Sequence, residues 1–220
     1  MHIKICGLTQ LDDALAAVEA GADYLGFNFY ARSPRYLTPE ACARLCAELA
    51  RRNLRVTTAG IFVNQPPAEV ASVLDYCGLN LAQLAGDEPP EHLTLLWGRA
   101  FKAVRDAAAA AADLAALAQF SPGWPAFLLD AAAPGAYGGT GQVGDWPSAA
   151  KLAARYPIFL AGGLNPANVA AAIEAVRPWG VDVASGVERA PGQKDQAKIK
   201  AFVQAARAAG EQLAANAAVD

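Results

Sequence analysis

Alternation constrains this chain most. Short β-type runs occur at 2–6, 23–29, 56–63, 80–85, 99–105, 126–130, 157–161 and 180–184, and helical patterns separate them. After the first run, Leu11, Ala14, Leu15, Val18 and Ala22 share one helix face. Thr38-Pro39-Glu40 and Asn165-Pro166 read as N-caps with proline at the first helical position. The last helix is expected over about 195–213, with the tail beyond it frayed. Eight strand–helix units without a linker predict a single (β/α)₈ barrel over 1–220. A doubly wound open sheet is the alternative; the unit count and a length a little under the ~250 residues usual for the barrel favour closure.

Composition removes several classes of function. With 54% apolar and 18% charged residues, the chain suits a packed globule. A net charge of −3 and no Lys/Arg run argue against a nucleic-acid partner. No apolar run is long enough for a membrane span, and the N-terminus does not read as a signal peptide. Four cysteines without a C-x-x-C pair suit a reducing cytoplasm, with Cys42 and Cys46 one helical turn apart for packing. Only His2 and His92 are available as imidazoles, so a histidine-rich metal site is not expected. No interface is legible, and a monomer is the expectation.

Active sites of such barrels lie at the C-terminal ends of the strands. Side chains alternate along a strand between lumen and helix layer. Ile3 and Ile5 suit the helix layer, so His2, Lys4 and Cys6 share the lumen parity, with Cys6 uppermost. Phe127 and Leu129 place Asp130 at the lumen top, Val181 and Val183 place Asp182 inward, and Gln83 and Ala85 face the lumen. A thiol and a carboxylate thus emerge at one mouth. Residue by residue, Cys6 is equally compatible with a small buried hydrophobe and Asp130 with a turn or cap residue.

Glycine-bearing loops follow the sixth, seventh and eighth strands: "GAYGGTGQVGDW" at 135–146, Gly162-Gly163, and Ser185-Gly186. Glycine lets backbone N–H groups approach an anion, and the loops after strands seven and eight form the usual phosphate site of this fold. Tight turns are the plainer reading of each loop taken singly. "FYARSPRYL" at 29–37 adds Arg32 and Arg35 at the same mouth, where an arginine fork suits a carboxylate or phosphate; solvated loop charge is the commoner fate.

These blocks taken together resemble phosphoribosylanthranilate isomerase. "KICGLT" (4–9), "GADYLGFNFYARSPRYL" (21–37), "GIFVN" (60–64), "QLAGDE" (83–88), "LLD" (128–130), "GGTG" (138–141), "LAGGLNPANV" (160–169), "GVDVASGVE" (180–188) and "PGQKD" (191–195) fall in order over nearly the whole chain. The resemblance implies a tryptophan-pathway enzyme. It would convert N-(5-phosphoribosyl)anthranilate to 1-(2-carboxyphenylamino)-1-deoxyribulose 5-phosphate, an Amadori rearrangement needing no cofactor or metal. It implies Cys6 as general base, Asp130 as general acid and Arg35 as the carboxylate-binding residue. Phosphate would lie against Gly139, Gly141, Gly162, Gly163, Ser185 and Gly186, with Lys4, Asp182 and Gln83 in support. Lys4 is expected to pair with Asp182, the remaining positive field favouring a Cys6 thiolate; a purely structural pair is the equal alternative. A glycine-rich lid is expected over 131–141.

One departure stands out. Many members of that family carry histidine where this chain has Ala85, which puts substrate positioning, not reaction type, in question. His92 is expected at the surface, and "GDE" (86–88) as a plain turn. Other phosphate-binding barrels fit less well. Epimerases want metal-binding histidines, histidine-pathway isomerases an aspartate where Cys6 stands, and indole-glycerol-phosphate synthase lysines at strand ends. A barrel that binds a phosphorylated ligand without turning it over is the alternative of another class.

Overall fold

The computed structural model describes residues 1–96, 98–105, 125–130 and 145–217. Eight parallel strands close into one barrel in sequence order: β1 (His2–Cys6), β2 (Tyr24–Asn28), β3 (Thr57–Phe62), β4 (Leu81–Leu84), β5 (Ala100–Val104), β6 (Phe127–Asp130), β7 (Ile158–Ala161) and β8 (Gly180–Val183). The closing seam pairs β1 with β8, with Lys4 opposite Asp182. Each strand falls within its expected run. A (β/α)₈ barrel, rather than an open sheet, is therefore the architecture.

Strand alternation sorts the core into two regions. Ile3, Ile5, Phe127, Leu129, Val181 and Val183 pack outward against helices in the larger cluster. Inside the barrel, Tyr24, Ala59, Leu81, Phe101, Leu128 and Phe159 form a second one. Trp179 closes the end away from the mouth, stacked on His2 with ring centroids 3.9 Å apart. That places His2 at the opposite end from the strand tops.

Some boundaries differ from expectation. Thr38 does cap the helix Pro39–Arg51, its hydroxyl accepting from Ala41 N. Asn165 does not cap the next predicted helix, which runs Val169–Val176 with Asn168 as its N-cap. Asn165 Oδ1 accepts from Ala167 N at 2.9 Å and Asn168 Oδ1 from Asn165 N at 2.8 Å. These side chains hold a turn ahead of the helix and delay its start. The last helix runs Gln196–Ala217, so the expected fraying before 217 is not seen. Its alanine content favours helix, and Arg207 ties it to the carbonyls of Met1 and Gly21. A short antiparallel pair after β8, Glu188–Ala190 with Gln193–Lys194, was not legible in the sequence.

Candidate active site

The strand tops surround a cavity of about 440 Å³ lined by Cys6, Arg35, Gln83, Asp130, Gly162, Gly163, Asp182 and Ser185 among others. Cys6 and Asp130 end strands β1 and β6, with β7 and β8 between them. The loops expected to hold phosphate rise from those intervening strands. Lys4 lies beneath the mouth and is fully buried. Gly186 stands behind the lining: a Cβ there would meet the Leu164 carbonyl oxygen at 1.9 Å, so the loops after β7 and β8 meet only because it is glycine. Gly139, Gly141 and the expected lid at 131–141 lie outside the described residues.

Two glycines shape the surroundings of Cys6. Gly26 sits opposite it on β2, and a Cβ at Gly26 would come within 2.9 Å of the thiol sulfur. Gly7 has φ +74°, left-handed backbone that favours glycine. A Cβ at Gly7 would also meet Arg35 Cδ at 2.4 Å, so the arginine stem crosses directly over the β1 turn. This is the local reason for a cysteine followed at once by glycine.

The thiol sits among buried charges. Lys4 Nζ donates to Asp182 Oδ1 at 2.6 Å. Burial pushes the Lys4 ammonium down, but Asp182 and Cys6 outweigh it and hold Lys4 above its ordinary range. For Cys6 the balance runs the other way. Burial pushes its thiol up, Lys4 and Lys194 pull it down, and burial wins. The expected positive field therefore acts in the expected direction without bringing the thiol below its ordinary value. The physical reason is burial first, with Asp182, beside Lys4, pushing the thiol further up.

Arg35 is held more firmly than a loop arginine need be. Its Nε donates to Glu188 Oε1 at 2.7 Å and its Nη2 to Glu188 Oε2 at 2.8 Å. Lys194 Nζ, fully buried, donates to the same Oε1 at 3.0 Å and to the Ala184 carbonyl at 2.8 Å. Burial pushes the Glu188 carboxyl up, but Arg35 and Lys194 bring it below its ordinary range. At the far side of the mouth, Arg105 follows β5 and its Nη2 donates to the Ala85 carbonyl at 2.7 Å. Gln83 is buried in the wall, and among the described residues its Oε1 has no hydrogen-bond partner.

A barrel with a thiol and a carboxyl group at its mouth, and glycine loops between them, fits several sugar-phosphate reactions. Comparison with known proteins decides among them. The family model "N-(5'phosphoribosyl)anthranilate (PRA) isomerase" matches residues 3–205. The N-(5'-phosphoribosyl)anthranilate isomerase of Geobacter sulfurreducens is 47% identical over 207 residues, covering 94% of this chain and 98% of that one. The chain belongs to the N-(5'-phosphoribosyl)anthranilate isomerase family. It is accordingly an isomerase of tryptophan biosynthesis and not a binding module.

Solved members of the isomerase family share the architecture. Phosphoribosyl anthranilate isomerase from Thermotoga maritima matches with a TM-score of 0.84 and 40% identity, over 94% of this chain and 99% of that one. A family member in complex with reduced 1-(o-carboxyphenylamino)-1-deoxyribulose 5-phosphate matches with a TM-score of 0.80 and 38% identity, at the same coverages.

Several residues around the isomerase mouth were not singled out by sequence. Glu188, Lys194 and Arg105 are three. Glu88, in the expected plain turn, is a fourth. It is buried, accepts from Asn64 N at 2.7 Å and Gly86 N at 2.9 Å, and pairs with Lys102. This ties the loops after β3 and β4 to β5. A glutamate two residues after a turn glycine is a weak signal for it in the sequence. His92 is half-buried, with Nδ1 enclosed and unpartnered among the described residues, rather than at the surface.

Proposed function

We propose that Cys6 and Asp130 perform the isomerisation as general base and general acid. The reaction turns N-(5'-phosphoribosyl)anthranilate into 1-(2-carboxyphenylamino)-1-deoxyribulose 5-phosphate. Asp130 delivers a proton to the ring oxygen as the C1–O bond breaks, and an iminium forms between C1 and the anthranilate nitrogen. That iminium makes the C2–H acidic. Cys6 thiolate removes the proton, giving an enolamine. The C2 hydroxyl of the enolamine then loses its proton while C1 gains one, and the ketone results. Substrate and product are isomers, so one acid and one base suffice.

The observation that carries this reading is placement. Cys6 and Asp130 line one cavity from strands on either side of the glycine loops. Phosphate held by Gly162, Gly163, Ser185 and Gly186 would sit between them. Gly162 and Gly163 have φ of +91° and +66°, which turns the backbone tightly at the cavity wall. Arg35, steadied by Glu188, takes the anthranilate carboxylate; Gln83, with an unsatisfied oxygen, accepts from a substrate donor group; Lys4 and Asp182 support the Cys6 side. The relative solved with the reduced deoxyribulose phosphate is named for a ligand bearing both the phosphate and the carboxylate that these residues address.

We place the chain as one catalytic domain, a monomer in the cytoplasm. Among the described residues its cysteines are free thiols, and no helix is long and apolar enough to cross a membrane. Among the described residues, the large apolar side chains left exposed, Tyr36, Tyr76 and Leu95, come from three different segments. Sedimentation at micromolar concentration tests the monomer; a dimer contradicts it. The test of the reaction is conversion of freshly prepared phosphoribosylanthranilate, followed by chromatography. Appearance of the open-chain ketose phosphate supports the reading. Binding without conversion contradicts it.

A further inference from the structure

We propose that Glu188 is a positioning residue for substrate recognition, holding the Arg35 guanidinium by one edge so that the other meets the anthranilate carboxylate. This rests on the reading of Arg35 as the carboxylate-binding residue.

An arginine on a loop has a long stem and much rotamer freedom to lose. Here both ends of the side chain are fixed. The stem crosses Gly7, where even a Cβ would come within 2.4 Å of Arg35 Cδ. The head is gripped by Glu188 through Nε and Nη2 at 2.7 and 2.8 Å. A guanidinium has five N–H donors, and a bidentate carboxylate uses one edge of the fork. Arg35 also lines the mouth cavity.

A single glutamate would also cancel the charge that attracts a carboxylate. Lys194 answers this. It is fully buried, donates to Glu188 Oε1 at 3.0 Å, and is pinned by the Ala184 carbonyl. With all three ionised, two cations and one anion leave Arg35, Glu188 and Lys194 net positive. Glu188 fixes direction and Lys194 restores the charge.

The segment carrying Glu188 is itself anchored. Its backbone oxygen accepts from Lys198 Nζ at 2.8 Å, and Thr9 donates to the Gly192 carbonyl at 3.1 Å. A Cβ at Gly192 would meet the Pro34 carbonyl oxygen at 2.4 Å, so this strap lies directly on the Arg35 loop. Ser185, at the phosphate end of the mouth, is joined to Glu188 by the single tight turn Ser185–Val187. One rigid segment thereby spaces the two anionic ends of the substrate.

The test uses two ligands titrated calorimetrically: reduced 1-(o-carboxyphenylamino)-1-deoxyribulose 5-phosphate, and its phenylamino counterpart without the carboxyl group. E188Q should weaken the first by roughly 10- to 100-fold, the value of a charged hydrogen bond, and leave the second within about twofold. E188D should recover part of the loss. R35A should show the same selectivity; equal weakening of both ligands by R35A overturns the reading of Arg35 itself. If R35A is selective while E188Q weakens both ligands alike, or neither, Glu188 is structural only and this inference fails. Should E188Q not fold, K194M carries the same comparison. Selective loss of the carboxylated ligand supports the trio, and equal loss overturns it.

Discussion

Lys4 Nζ and Asp182 Oδ1 lie 2.6 Å apart, on the strands that close the barrel, in the layer directly below the Cys6 thiol. The pair is shielded from water, and each partner is costly to leave alone. Asp182→Asn should destabilise the fold by about 3–5 kcal/mol, because Lys4 remains as a buried, unpaired cation. Lys4→Met together with Asp182→Leu should recover much of that loss. Denaturant unfolding of Lys4→Met, Asp182→Leu and the double variant, set beside Asp182→Asn, checks it; additive losses would show that the two side chains do not act as a pair.

The pH dependence follows from Cys6. A base works in its deprotonated form, and burial holds this thiol above its ordinary range. kcat/KM should therefore still be rising with pH where a free thiol has largely ionised. Lys4 pulls the thiol down, so Lys4→Met should push its ionisation further up and lower activity at neutral pH. Ultraviolet titration of the thiolate, with Cys6→Ser as blank, measures this. An unchanged Cys6 ionisation in Lys4→Met would remove Lys4 from any electrostatic role.

Gly26 makes room for the thiol. Gly26→Ala would bring a methyl to 2.9 Å from the sulfur and 3.1 Å from the Cys6 backbone. The expected cost is about 1–3 kcal/mol of stability from overpacking, with a larger proportional loss of kcat because the displaced group is the proposed base. Thermal unfolding set beside kinetics tests this. Full kcat in a folded Gly26→Ala protein would show that the position of the sulfur is not critical.

At Ala85 the chain departs from the histidine that many family members carry. Ala85 lines the mouth, and its carbonyl accepts from Arg105. Ala85→His places a donor beside the substrate, and KM should fall by roughly two- to tenfold, the value of one hydrogen bond. Unchanged kinetics would make the difference incidental.

Much of this was legible in the chain because period-2 alternation carries both fold and site. Ile3 and Ile5 fix the parity that turns Lys4 and Cys6 inward, and Val181 and Val183 do the same for Asp182. The hidden parts are long-range ion pairs. Arg35 and Glu188 are 153 residues apart, and Lys102 on β5 meets Glu88 of the loop after β4 across 14 residues. No local pattern encodes such partners. The Asn165 cap was misplaced for the opposite reason: two asparagines and a proline within four residues allow more than one turn, and Asn168 took the capping position.

The central claim is that Cys6 and Asp130 are the base and the acid. The most direct test is kcat for phosphoribosylanthranilate with wild type, Cys6→Ser and Asp130→Asn side by side. Both variants preserve shape and remove the proton-transfer function. The account predicts a loss of roughly 10²- to 10⁴-fold in each, the usual contribution of one positioned acid or base. A variant that keeps kcat within about tenfold of wild type, below that range, would contradict the role assigned to the residue it lacks.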